Sequence, residues 1–231
     1  MEPLFEILHE DDDLLAINKQ ADLVCHPTKT DELSSLAGRV RLHLGEDRPV
    51  HFVNRLDRET SGIVIVAKTN EAARELRRLW ENREVTKTYW AIVHGDMRDD
   101  TGTIDAPLGK DESSEVAVKD CVRLDGAAAQ TRFRAHWRFK RDEGDFTWLH
   151  IELVTGRKHQ IRIHLQHLGH PIVGDKLYGL DESCYLKLVK GELTGDDRRR
   201  LILKNQALHA RELRFHWRDA DWLFEAEPEE E

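Results

Sequence analysis

Asn54-Arg55-Leu56-Asp57-Arg58-Glu59-Thr60-Ser61-Gly62-Ile63-Val64-Ile65-Val66-Ala67-Lys68 sets one carboxylate, Asp57, between two arginines and just ahead of an apolar, β-branched run. The five residues Ile63 to Ala67 offer no polar face, which predicts a strand covered on both sides. A carboxylate flanked by guanidinium groups stays charged at neutral pH, and a buried strand behind it gives the rigid mount that positioned chemistry requires. The segment therefore reads as an active-site loop on a core strand. Taken alone it is equally a charged turn entering the core, so the rest of the chain has to decide.

The 231 residues can bury a sizeable core, and no stretch rich in Pro, Gly or Ser divides them, so one domain is expected. Met1-Glu2-Pro3 opens without a basic stretch, and no eighteen-residue apolar run occurs; no membrane association and a cytoplasmic location are the expectations. Cys25, Cys121 and Cys184 are odd in number and widely spaced, which suits thiols in a reducing compartment and gives neither a disulfide framework nor a zinc knuckle. The formal charge of −9 argues against a general nucleic-acid binder. Its distribution is uneven, with acids in Glu10 to Asp13, Asp96 to Asp100, Asp111 to Glu115 and Glu225 to Glu231, and cations gathered between Arg132 and Arg162. A basic face on an acidic molecule permits a polyanionic substrate without requiring one.

Leu4 to Leu8 and Leu14 to Asn18 read as strands, and Glu32 to Leu44 has helical spacing with Gly45 as its C-terminal cap. After the Ile63 to Ala67 strand, Thr69 or Asn70 caps a helix whose apolar face is Ala72, Ala73, Leu76, Leu79 and Trp80. Lys87 to His94 alternates as a strand, with Tyr89, Ala91 and Val93 opposite Trp90 and Ile92, and Gly95 ends it. Further strands are expected at Glu115 to Val122, Thr131 to Phe139, Phe146 to Val154 and Leu208 to Trp217. The pattern predicts an α+β fold with a mixed, largely antiparallel sheet flanked by helices.

Val154 to Gly179, V-T-G-R-K-H-Q-I-R-I-H-L-Q-H-L-G-H-P-I-V-G-D-K-L-Y-G, leaves a strand and enters a helix with Ile161, Leu165 and Leu168 as the expected buried stripe. Arg162 flanks that stripe, where a partly buried guanidinium needs a carboxylate; Asp57 is the candidate. This stretch and Asn54 to Lys68 resemble the two long motifs of the RluA-like pseudouridine synthases, which isomerise uridine in ribosomal or transfer RNA. Segments at Ile7 to Leu23, Lys87 to Gly95 and Leu208 to Phe215 extend the resemblance over most of the chain.

The resemblance implies a pseudouridine synthase fold over residues 1–224, with an active-site cleft between two sub-lobes and an acidic tail, 225–231, expected to be disordered. It implies Asp57 as nucleophile, Tyr89 as the active-site tyrosine stacking on the base, Arg162 as the basic partner of Asp57, and Leu208 as an apolar wall of the uracil pocket. Arg55 resembles the arginine that fills the gap left by a flipped base. Lys19, Arg58, Lys68, Arg157 and His159 are candidate RNA contacts. No cofactor and no metal are implied; the partner is ribosomal or transfer RNA, and a monomer is expected. Asn54 stands where the family pattern has histidine, and Gln20 and Asp22 where it has Pro and Gly, which puts the turn after Lys19 in question. Phe5 already begins the catalytic pattern, so target choice is expected from the catalytic lobe, with Arg132 to Arg141 and Leu180 to Asn205 as candidate determinants. Two rival readings are a histidine-site metallohydrolase, built on His159, His164, His167 and His170, and an RNA-binding module without catalysis.

Overall fold

A computed structural model describes residues 5–26, 34–45 and 48–229. In chain order they form β1 (Glu6–Glu10), β2 (Leu14–Lys19), α1 (Leu36–Leu44), β3 (His51–Phe52), β4 (Ser61–Ala67), α2 (Asn70–Glu81), β5 (Thr86–His94), β6 (Thr101–Asp105), β7 (Leu108–Lys110) and β8 (Asp120–Val122). They continue with β9 (Gln130–Arg141), β10 (Gly144–Leu153), α3 (Gln160–His167), α4 (Ser183–Lys190), α5 (Gly195–Leu201), β11 (Leu208–Trp217) and β12 (Ala220–Glu225). The fold is α+β and its strands pair mainly antiparallel, as the alternation predicted. The chain forms two compact units, one of residues 1–88 with 209–231 and the other of residues 89–208; it leaves the first within β5 and returns at the start of β11.

In the first unit β4 is buried at all seven positions, and its alternate side chains enter different cores. Ile63, Ile65 and Ala67 join Ala72, Ala73 and Leu76 of α2 and Leu213, Phe215 and Trp217 of β11. Val64 and Val66 face the other way, toward Leu15, Ile17, Leu36 and Val40. Each such side chain removed from water contributes roughly 1.5–3 kcal/mol before entropy is counted, so β4 is the most strongly held element of this unit. β2 runs antiparallel to it from Leu14 opposite Ala67 to Lys19 opposite Gly62, and β11 meets it in parallel at His209–Ser61 and Ala210–Gly62. Thr69 caps α2 by accepting from the Ala72 amide, 3.2 Å.

In the second unit β5, β10, β9 and β6 lie side by side, and β7 pairs with β8 in a separate ribbon. Tyr89, Ala91 and Val93 are buried while Trp90 and Ile92 are half-buried, the predicted alternation, and Gly95 ends the strand at φ +88°. Ile163 of α3 packs with Leu108, Val116, Ala129, Leu177 and Tyr178.

Several expectations are corrected. Of Glu115 to Val122 only Asp120–Val122 is strand, because the Ser114 hydroxyl takes the Val116 amide at 3.0 Å and Val116 turns inward. Leu168 is not in the buried stripe but caps α3 at 39% exposure. In the Leu180 to Asn205 segment, Arg198, Arg199 and Arg200 follow α4 and lie within α5, which a Thr194–Asp197 capping box starts. β6, β7 and β12 were not anticipated. Within the acidic tail, Glu225 ends β12, Ala226 is buried with its carbonyl accepting from His209 Nε2 and Arg211, and Glu227 pairs with Arg211 at 2.9 Å. Leu4, Glu32, Leu33, Glu230 and Glu231 lie outside the described residues.

Gly62 shows how closely β4 is packed. Its φ is +112°, and a Cβ there would lie 2.3 Å from the Ala210 carbonyl oxygen. Gly62→Ala is expected to destabilise the protein by at least about 2 kcal/mol, lowering the thermal midpoint by roughly 5 °C or more. Calorimetry showing an unchanged midpoint would refute this packing.

Candidate active site

Asp57 sits half-buried in the loop between β3 and β4, and its carbonyl accepts from the Thr60 amide at 3.2 Å. Asn54 opens the loop with a side chain bonded at both ends. Its Nδ2 donates to the Ile63 carbonyl, 3.0 Å, and its Oδ1 accepts from the Ile65 amide, 2.8 Å. The residue that departs from the family pattern thus fixes the loop to β4. Leu56 is held at Cys25, whose Sγ lies 3.5 Å from both its amide nitrogen and its carbonyl oxygen.

Lys19 secures the far side. Its Nζ is fully buried and donates to the carbonyls of Gln20 (2.7 Å), Leu23 (2.9 Å) and Arg58 (3.1 Å), which matches the three N–H groups of an ammonium. Burial pulls its pKa down to about 8, against Cys25 and the carboxylates of Glu229, Asp57 and Asp22, which favour the charged form. The expected RNA contact at Lys19 is therefore corrected: it is an internal clamp on the turn after β2 and on the Asp57 loop. Lys68 is corrected in the same way, since only 7% of it is exposed and its Nζ bonds Glu10 at 2.9 Å and the Asp11 carbonyl.

Asp22 settles the turn that its departure put in question. It has φ +64°, the left-handed region open to glycine and tolerated by aspartate, so the backbone bend survives the replacement. Its carboxylate also takes Arg58 Nε at 2.7 Å, a bond no glycine could make. The pair is exposed and contributes at most about 1 kcal/mol, so its effect is to aim Arg58 rather than to hold the fold. Arg55 is exposed. In this unit Asp57, Arg58, Lys19, Asp22 and Asn54 are brought together.

The other candidates belong to the second unit. Tyr89 is 8% exposed on β5, and Leu208, 6% exposed, begins β11. Arg162, on α3, has a carboxylate partner that the sequence reading did not choose: Asp175 takes Nε at 2.6 Å and Nη2 at 2.9 Å. Asp175 is fully enclosed and also accepts the Leu177 and Tyr178 amides, each at 2.9 Å. Burial drives its pKa up, but the Arg162 charge and these hydrogen bonds outweigh burial and leave the carboxyl below its ordinary range. The Arg162 guanidinium also lies 4.9 Å from the centre of the Tyr178 ring. Asp175 and Tyr178 both stand in the G-D-K-L-Y-G stretch, and a buried cation's need for a nearby acid was the signal that could have selected Asp175.

Three of the four histidines of the rival reading are engaged in hydrogen bonds with other groups. His164 is fully buried, donating through Nε2 to the Ala106 carbonyl (2.9 Å) and accepting the Thr131 hydroxyl at Nδ1 (2.8 Å). His159, at φ +55°, shares a hydrogen bond with the Tyr178 hydroxyl at 3.0 Å, and His170 donates to the His94 carbonyl at 2.9 Å. Among the described residues no group of three or more His, Cys, Asp or Glu side chains is placed to hold an ion. Arg157 is exposed with its Nε on the Ala128 carbonyl.

Comparison with known proteins gives the family. Residues 13–167 match the family model for RNA pseudouridylate synthases. YlyB of Bacillus subtilis, described as an uncharacterized RNA pseudouridine synthase, is 36% identical over 97% of this chain and 70% of its own length. A relative of the same description from Chlorobaculum parvum is 38% identical over 90% of this chain and 65% of its own. Among solved structures, human RNA Pseudouridylate Synthase Domain Containing 1 superposes with a TM-score of 0.77 at 26% identity, over 98% of this chain and 86% of that one. The chain belongs to the RNA pseudouridine synthase family, isomerases that convert uridine to pseudouridine.

The Arg162–Asp175 pair gives a test independent of activity. Asp175→Asn removes the fully enclosed charge that faces the buried Arg162 guanidinium and is expected to cost about 3–5 kcal/mol at pH 7 in urea denaturation. Because the folded-state pKa of Asp175 is lowered from 3.8, its stabilisation is complete above that pH and drains away as pH falls below it. The gap between wild type and variant therefore narrows in acid; a gap that is constant with pH would contradict the ion pair.

Proposed function

We propose that this chain isomerises a uridine in ribosomal or transfer RNA to pseudouridine, with Asp57 as the nucleophile, acting as a monomer in the cytoplasm. The observation that carries the reading is the Asp57 loop, tied down by Asn54, Cys25 and Lys19 onto a strand buried on both faces. A loop held in this way keeps a carboxylate in one orientation, which covalent catalysis needs and a plain charged turn does not.

Reaching the carbon atoms of a uridine requires the nucleotide to leave its stack, at a cost of a few kcal/mol. Arg55, exposed at the mouth of the loop, is assigned to the gap left behind, and Tyr89 to the face of the flipped base, where stacking returns roughly 1–3 kcal/mol. The carboxylate bonds to the anomeric carbon as the carbon–nitrogen bond breaks, the freed uracil rotates, and its carbon 5 displaces the carboxylate to form the carbon–carbon bond, which returns Asp57 to its ionised state. The Tyr89 phenol assists removal of the proton from carbon 5. Arg162 fixes charge at the site, Leu208 supplies an apolar wall, and Arg58, Arg157 and His159 contact the RNA. Atoms balance within the substrate, so no cofactor is consumed.

Incubation with cell-derived ribosomal and transfer RNA is expected to give product detectable by pseudouridine-specific chemistry. Asp57→Asn, a change of one atom on a half-buried side chain, should reduce it to background while leaving the thermal midpoint within about 2 °C. Undiminished product from Asp57→Asn would overturn the nucleophile assignment.

A further inference from the structure

The second unit carries an aromatic surface that the proposed chemistry does not use. On β5 the side chains alternate, so Trp90 and Ile92 point to the face of the sheet opposite Tyr89. Beside them on β10 stand Trp148 and His150, with ring centres 5.1 Å and 5.8 Å from Trp90. On β9 the register shifts by one residue between Trp148 and Leu149, and this bulge brings His136 to 4.4 Å from Trp148. Trp137 lies directly across from Trp148 and packs on Phe139 at 5.3 Å.

A sheet face turned to water is normally polar. This one shows aromatic rings, and Trp137 is 61% exposed. The rings border an open groove of about 550 Å³, lined by Trp137, Phe139 and Trp148 together with Arg138, Lys140 and Arg141. That volume lies within the range of about 300–1,000 Å³ usual for binding pockets.

Charge selects the occupant. In a chain of net charge −9, the twelve residues of β9 hold five cations, Arg132, Arg134, Arg138, Lys140 and Arg141, and no acid. Arg132, Arg138 and Lys140 are partly neutralised by Glu152, Asp96, Asp100 and Asp145. Arg134, across from His150, and Arg141, at the groove, have no carboxylate partner among the described residues. Flat rings spaced along a strand, flanked by unneutralised guanidinium groups, suit unpaired bases and the phosphates that join them. A duplex would present phosphates and ribose without base faces.

We propose that this face, bordered by Trp137, Trp148, His136, Arg134 and Arg141, docks a single-stranded RNA segment on the side of the sheet opposite Tyr89. The inference adds to the proposed function a surface for RNA outside the modified nucleotide. It stands on its own geometry and needs no catalysis to be observed.

The test is fluorescence anisotropy of the full chain with a fluorescein-labelled oligoadenylate, which contains no uridine and so cannot be a substrate. Wild type is expected to bind at low salt with quenching of tryptophan emission. Trp137→Ala should weaken binding about tenfold, whereas Trp137→Phe, which keeps a stacking ring, should stay within about threefold of wild type. Replacing Arg134 and Arg141 together by Gln should lower the slope of log affinity against log salt by about 1.4. Absence of binding by wild type at low salt, or equal binding by wild type, Trp137→Ala and the double arginine variant, would overturn the docking surface even if pseudouridine is formed. Normal binding with no pseudouridine would instead count against the proposed activity alone.

Discussion

One side-chain amide, that of Asn54, joins the Asp57 loop to the most deeply buried strand of its unit, donating to Ile63 and accepting from Ile65. Neither of those backbone groups could be left unpaired cheaply, since a buried amide or carbonyl without a partner costs about 1–3 kcal/mol. The bond therefore ties the position of Asp57 to the packing of Ile63, Ile65, Val64 and Val66 in two separate cores. The amide meets the strand edge with one donor and one acceptor.

Buried charge supports this arrangement in two ways. Lys19 is a cation enclosed by carbonyls, and its value is geometric: one ammonium joins the turn after β2, Leu23 and the residue following Asp57. Asp175 is an anion enclosed by one guanidinium and two amides, and it gives Arg162 a fixed orientation on α3. Neither group gains much net stability from burial, because desolvation offsets most of the attraction. Both would be costly to leave half-paired, so each restricts its neighbours to one arrangement.

Elements with strong local periodicity were legible in the chain. The apolar run of β4, the Thr69-capped face of α2 and the alternation of β5 each depend on neighbours in sequence, and the structure repeats them closely. Where side chains compete locally for the backbone, as at Ser113 and Ser114, the apolar spacing of 115–122 pointed to a longer strand than forms. Lys19 and Lys68 are candidate RNA contacts in the sequence, since a chain does not reveal which carbonyls fold around an ammonium. Arg162's need for an acid was evident, but Asp175 as a partner depended on the path from Gly169 to Gly179. That path bends at Gly174 with φ +79°, where a Cβ would strike the Asn205 carbonyl.

The central claim is that the Asn54 amide holds Asp57 ready for chemistry, and single-turnover pseudouridine formation by Asn54→Ala tests it most directly. The account predicts a rate constant lowered at least about tenfold, an RNA dissociation constant within about twofold of wild type, and faster amide exchange at Ile65. A wild-type rate constant in a variant whose Ile65 amide has lost its protection would contradict it.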